Sequence, residues 1–292
     1  MDMLQWHFEK WSANGSTPAS SSREVLAGNR LPRHDEFVRE ALQNSTDAAV
    51  KPDALVDVRI RRYELAGSQL SAVLELLQVD GHQLAGRDFS SLRIPSPSET
   101  LPVLLIEDFR TTGLGGVERA DSPPERGDNF VGLCRNFGTS GEADTGVARG
   151  GSFGFGKSVY WKCSRLWTVL FYSRFEATER TGHISRRFIG AGWFHQHSQG
   201  NSMSTGRAWL GVPSADESSY IQPATDAAAD KLAELFGIPV RPKGDEGTSI
   251  LILDPNLTNL DEMRLGIHKH WWPRIIDRRL TVSLVNGDDK LA

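Results

Sequence analysis

Residues 40–48 read Glu-Ala-Leu-Gln-Asn-Ser-Thr-Asp-Ala. On a helix, Glu40, Asn44 and Asp47 stand at i, i+4 and i+7 and share one face. A face turned to a core at that spacing would be apolar; this one is acid, amide, acid. A carboxylate one turn from a carboxamide oxygen can activate a water beside a hard cation such as Mg2+. The same residue types also suit a solvated helix face, so their meaning depends on what the chain places beside them.

A second segment with chemistry is 151–158, Gly-Ser-Phe-Gly-Phe-Gly-Lys-Ser. It satisfies G-x-x-x-x-G-K-[ST], the P-loop pattern, with Lys157 and Ser158 in the phosphate and Mg2+ positions. Asp254, after the apolar run Ile250–Leu253, would be the metal-holding acid of that reading. A P-loop must leave a buried strand that aims it at the phosphates. Residues 139–150, Thr-Ser-Gly-Glu-Ala-Asp-Thr-Gly-Val-Ala-Arg-Gly, do not read as such a strand. The P-loop remains the alternative.

The other nucleotide reading uses four segments in chain order. The acid-amide helix comes first. The apolar run 101–107 then delivers Asp108, followed by Thr111, Thr112, Gly113, Leu114, Gly115 and Gly116. Next come Gly151, Gly154, Gly156 and Lys157, and last Gly247-Thr248 opens another apolar run. This series resembles the GHKL ATPases, the class of gyrase B, the ninety-kilodalton heat-shock chaperones, histidine kinases, MutL and the MORC proteins. Glu40, Asn44, Asp47 and Ala48 match that family's E-x-x-x-N-x-x-D-A helix, and Gly151, Gly154 and Gly156 its G-x-x-G-x-G lid. The likeness covers roughly residues 30–255. One departure stands out: the family's second box is D-x-G-x-G, whereas Asp108-Phe109-Arg110-Thr111-Thr112-Gly113 delays the glycine by three residues. The stretch from Glu107 to Gly116 and Trp271-Trp272-Pro273 also look like uncharacterised bacterial GHKL proteins found near phage-defence genes.

The resemblance implies ATP and Mg2+ as cofactors and a Bergerat-type two-layer α/β sandwich with a glycine-rich ATP lid. It implies that Asp108 accepts a hydrogen bond from the adenine amino group and that Thr248 completes adenine recognition. It implies that Asn44 holds Mg2+ through its side-chain oxygen, that Glu40 orients and deprotonates the attacking water, that Asp47 braces the site, and that Ala48 belongs to the nucleotide-binding helix. Gly113 and Gly115 would turn the chain near the adenine. Gly151, Gly154 and Gly156 would bring backbone N–H groups to the phosphates, aided by the positive end of a following helix, and Lys157 would supply a counter-charge. Slow hydrolysis coupled to ATP-dependent homodimerisation follows from the same likeness, as a clamp in DNA transactions or anti-phage defence. A chaperone-like remodelling ATPase is the alternative role. A histidine kinase would need a phospho-accepting His on a helical hairpin, and only His7 and His34 precede the first box.

The elements that must position these residues can be read from pattern. Pro32 precedes a helix over about 33–50, with Asp35 and Glu36 suiting its dipole, and Pro52 ends it. Alternation over 55–65 predicts a half-buried strand, and runs at 101–107 and 248–253 predict buried ones. Further strands are expected near 166–175, 184–195, 206–212 and 280–285, with helices at 224–236 and 258–279, the last kinked or ended at Pro273. Strands joined without intervening helices favour an α+β fold, a mixed sheet with helices on one face. Residues 1–255 read as the ATP-binding domain, and 256–292 as a connecting helix and strand or the start of a truncated second domain. An effector partner or missing domain is then expected. The aromatic arm with Trp6, Phe8 and Trp11 either packs on its own domain or straps a partner.

Composition sets outer bounds. Of 292 residues, 33 are Lys or Arg and 37 Asp or Glu, a net charge of −4. That balance offers no global field for DNA. The two cysteines, Cys134 and Cys163, form no C-x-x-C, which argues against a disulfide framework or zinc site. No 18-residue apolar stretch and no signal-peptide core are present. The expected place is the cytoplasm, with no membrane partner.

Overall fold

The computed structural model describes residues 4–19, 33–77, 96, 99–123, 125, 127–136, 156–199, 201–217 and 219–287. Their centre is one mixed sheet of eleven strands. Its strands are β1 (Gln5–Lys10), β2 (Val56–Ala66), β3 (Thr100–Phe109), β4 (Thr168–Arg174), β5 (Arg186–Trp193), β6 (His197–Gln199), β7 (Ser202–Pro213), β8 (Ile221–Gln222), β9 (Ala224–Thr225), β10 (Gly247–Leu253) and β11 (Leu280–Asn286). The main order is β1-β7-β5-β4-β10-β3-β2-β11, with β6 and β8 on β7 and β9 on β5. Every described pairing is antiparallel except β11 with β2, which is parallel.

Among the described residues, five helices cover this sheet: α1 (His34–Asp47), α2 (Gly67–Leu76), α3 (Val159–Lys162), α4 (Asp226–Leu235) and α5 (Leu260–Ile276). Two-residue alternation divides the strands between two apolar layers. Leu104 and Ile106 of β3, with Ile250 and Ile252 of β10, face Phe37, Val38, Ala41 and Leu42 of α1 and Met263 and Ile267 of α5. Val103 and Leu105, with Leu251 and Leu253, face Leu70, Val73 and Leu74 of α2 and Ala229, Leu232 and Ala233 of α4. The expectation of helices on one face is corrected here: both faces are covered. That is why β3 and β10 are apolar without alternation.

The boundary expected at residue 255 finds no break in packing. Leu280 is in the same core as α1, and β11 extends the sheet as the neighbour of β2. Pro273 neither ends nor precedes the end of α5 by much: the helix runs on to Ile276, and Asp277 N–H reaches the Pro273 carbonyl at 3.0 Å. The aromatic arm is β1. It pairs with β7 of its own chain, and Trp6 Nε1 donates to the Leu77 carbonyl at 2.9 Å. Trp6 and Phe8 pack on Phe194, with ring centroids at 5.4 and 5.9 Å. Among the described residues, no helix is long and apolar enough to cross a membrane.

Candidate functional site

Helix α1 joins the two ends of the site. Its core stripe is Phe37, Val38, Ala41, Leu42, Ser45 and Thr46, all buried. Glu40 and Asn44 lie on the flank of that stripe and are partly buried, whereas Asp47 is exposed at the last turn. The three residues therefore do not share one environment.

Asp108 ends the apolar run of β3 and is buried. Its Oδ1 accepts from the Thr248 backbone N–H at 2.9 Å and from Thr111 Oγ1 at 2.5 Å. Its Oδ2 faces Ser45 Oγ of α1 at 3.3 Å. Burial pushes the Asp108 carboxyl above its ordinary value, while the Arg241 guanidinium and the Thr111, Thr248 and Ser45 hydrogen bonds pull it down. Arg241 is buried too, over the Phe109 ring at 4.4 Å, and donates to the Thr248 carbonyl at 2.9 Å and Ser249 Oγ at 3.1 Å. Its charge acts on both Asp108 and a second buried carboxylate, Glu107, whose pKa burial likewise raises.

The delayed glycine turn has a structural reason. Arg110 sits at φ 63°, so the chain turns immediately after β3. Thr112 then reaches α1: its N–H and Oγ1 meet the Ala48 carbonyl at 2.9 and 3.2 Å. The three added residues thus stitch the end of the helix to the strand end. Gly113 follows at φ 62°, and a Cβ there would run into the Arg174 carbonyl oxygen, so only glycine fits. A Cβ on Gly115 would meet the Phe175 side chain only at ordinary contact, 3.6 Å.

The other end of the site lies under Gly156. A Cβ on Gly156 would stand 2.5 Å from Glu40 Oε2 and 3.9 Å from Asn44 Oδ1. The backbone after the glycine-rich segment therefore rests directly on the acid-amide pair. Arg39 holds Glu40 Oε1 at 2.8 Å, which leaves Oε2 on the Gly156 side. Asn44 Nδ2 donates to Tyr160 OH at 3.2 Å, which orients its Oδ1 toward the same space. Among the described residues, no group of three or more His, Cys, Asp or Glu could hold a metal by themselves. A cation here would take Asn44 Oδ1 with phosphate and water oxygens, a set that suits Mg2+.

Gly151 and Gly154 lie outside the described residues. Lys157 is partly buried, and its Nζ donates to the Gly132 carbonyl at 2.8 Å; burial lowers its pKa. The helix expected to add its positive end is only the single turn α3 after a 3-10 turn at Gly156–Ser158, so its dipole contributes little. Asp254, the acid of the P-loop alternative, pairs with Arg165 at 2.9 Å. Lys269 holds Asp35 at 3.1 Å, at the start of α1.

Ser45, Thr111, Tyr160 and Arg241 are site residues that the sequence reading missed. Ser45 was findable, as a polar residue in an otherwise apolar stripe. Thr111 stands only three residues after Asp108, whereas Tyr160 and Arg241 are joined to the site by contacts distant in sequence and carry no local signal. Compared with models of protein families and with curated proteins, the chain matches none.

Proposed function

We propose that this chain is an ATP-binding, slowly hydrolysing, Mg2+-dependent ATPase module of the GHKL kind that works as an ATP-driven dimerisation clamp. One observation carries the reading: α1 presents Ser45 to the buried Asp108 and, a turn away, presents Glu40 and Asn44 to the backbone of Gly156. A base-recognition carboxylate and a water-activating pair are thereby fixed to one rigid element, the arrangement a catalytic site requires.

In this reading Asp108, held by Thr248 N–H and Thr111, presents a buried acceptor to an exocyclic amino group. A base without that donor would leave the carboxylate unpaired, which makes the discrimination sharp. Mg2+, when bound, would neutralise phosphate charge and fix the phosphate oxygens. Asn44 holds its side-chain oxygen toward that space, and Glu40, steadied by Arg39, takes the proton of the attacking water through Oε2. Gly156, with Gly151 and Gly154 from the same motif, lets the backbone approach the phosphates. Lys157 would exchange its Gly132 carbonyl for phosphate oxygens. The setting proposed is DNA transactions or phage defence. A salt-dependent DNA shift by the ATP-bound dimer separates this from a chaperone-like role.

The test of the catalytic assignment is Glu40→Ala. Turnover should fall by about 10²–10⁴-fold, the usual contribution of a general base, while ATP affinity stays within about threefold. Unchanged turnover would remove Glu40 from the mechanism.

A further inference from the structure

Away from α1, a cavity of about 340 Å³ opens between β1, the 119–121 turn and the β7–β8 corner. That volume is at the small end of small-molecule sites, too small for a groove that takes a folded partner. Three acids line it, and all are engaged from within. Asp121 and Glu217 share Arg119, at 2.5 and 2.9 Å. Glu9 accepts from Thr205 Oγ1 at 2.7 Å and faces Arg207 at 3.4 Å.

The cations are not balanced in the same way. His7, Lys10 and Arg135 also line the cavity. Among the described residues, no carboxylate lies within ion-pair distance of any of the three. Arg135 is buried and held rigidly. Its guanidinium lies 5.0 Å from the Tyr220 ring and 5.6 Å from Trp209, and it donates to the Glu118 and Ile221 carbonyls at 3.2 and 2.5 Å. A buried, pre-positioned guanidinium on which the Glu118 carboxylate acts only from beyond ion-pair distance is stabilised further by an anion that reaches it.

The position of Arg135 gives the cavity a second property. It is the last residue of a π-helical turn, Val131–Arg135, a form that clusters at functional sites. The carbonyls of this one turn are gripped from two directions. Gly132 O accepts Lys157 Nζ at 2.8 Å, whereas Cys134 O accepts Trp209 Nε1 at 2.8 Å and Arg135 O accepts Arg207 Nη2 at 2.7 Å. Trp209 is itself a wall of the cavity. We infer that the cavity binds a small anion bearing a carboxylate or phosphate group, and that its occupancy reaches Lys157 through the Val131–Arg135 turn. Only the consequence for nucleotide binding rests on the ATPase reading; anion binding itself does not.

The test titrates citrate and, separately, inorganic phosphate into the full chain by calorimetry, without nucleotide. Saturable binding of either probe is expected, and which of the two binds assigns carboxylate or phosphate chemistry. Lys10→Glu, a surface change, should weaken it at least about tenfold, and Lys157→Ala should shift it by less, in the sense that reciprocal coupling through the turn requires. No saturation by about 10 mM of either probe, beyond the millimolar range of weak specific binding, overturns the site. Binding that survives Lys10→Glu but is lost in Lys157→Ala also overturns it, because the anion then sits in the nucleotide site. Amide exchange of residues 131–136 should slow on anion binding in the wild type. Unchanged exchange with the anion bound overturns the link to Lys157.

Discussion

Asp108 and Arg241 show how a buried charge can serve recognition while working against stability. Because burial raises the Asp108 pKa, the folded state holds that proton more tightly than the unfolded chain does. Stability from this group is therefore highest below its unfolded value of about 3.9. It is lost as pH rises toward the higher folded value. Asp108→Asn removes the ionisation and keeps an acceptor for Thr248 and Thr111. Its melting temperature at pH 7 should equal or exceed that of the wild type, and the difference should shrink below pH 4. A strongly lowered melting temperature at pH 7 would show that the carboxylate is chiefly structural. Arg241→Met should do the opposite. It leaves Glu107 and Asp108 buried without their shared cation, and denaturant unfolding should report a loss of about 3–5 kcal/mol, partly restored by Glu107→Gln. Of Asp108, Glu107 and Arg241, the sequence made only Asp108 legible, through its place at the end of an apolar run. Glu107 reads there as an ordinary strand residue, and Arg241 sits in a loop whose composition says nothing about burial.

At the scale of elements, α1 was legible because its polar flank broke the apolar rule at a fixed spacing. Asp47 was misleading for the same reason: helical periodicity places it on the Glu40–Asn44 face, but the helix ends there and leaves it exposed. Helix α2 was missed because Gly67-Ser-Gln opens it weakly and its apolar residues look like a continuation of β2. Strand β1 was missed because the pairing that defines it is with β7, some two hundred residues on. The contact between elements that matters most is Gly156 on α1. Gly156→Ala would force its methyl group against Glu40 Oε2 and should weaken ATP binding by about tenfold or more. In a Glu40→Ala background the same change should cost much less, a coupling that a double-mutant cycle by calorimetry measures directly. Equal costs in both backgrounds would mean that the close approach is not what makes glycine necessary.

For the whole molecule, the sheet does not stop where the motifs stop. The segments that resemble GHKL boxes run from residue 40 to 248, and a domain boundary near 255 follows naturally from that resemblance. Yet Met263, Ile267 and Leu280 are buried against α1 and its sheet, each worth about 1.5–3 kcal/mol when fully removed from water. A chain ending at 255 should lack cooperative unfolding by circular dichroism, whereas one ending at 287 should retain it. A folded 1–255 fragment would restore the boundary. The functional account stands or falls on whether Asp108 recognises a nucleotide. The decisive measurement is calorimetric titration of ATP·Mg2+ into wild type, Asp108→Asn and Lys157→Ala. The account predicts binding by the wild type, its loss in Asp108→Asn by at least about 100-fold, and a smaller effect of Lys157→Ala. Indifference to Asp108 with collapse at Lys157 would contradict it and return the chemistry to the Gly151–Ser158 loop.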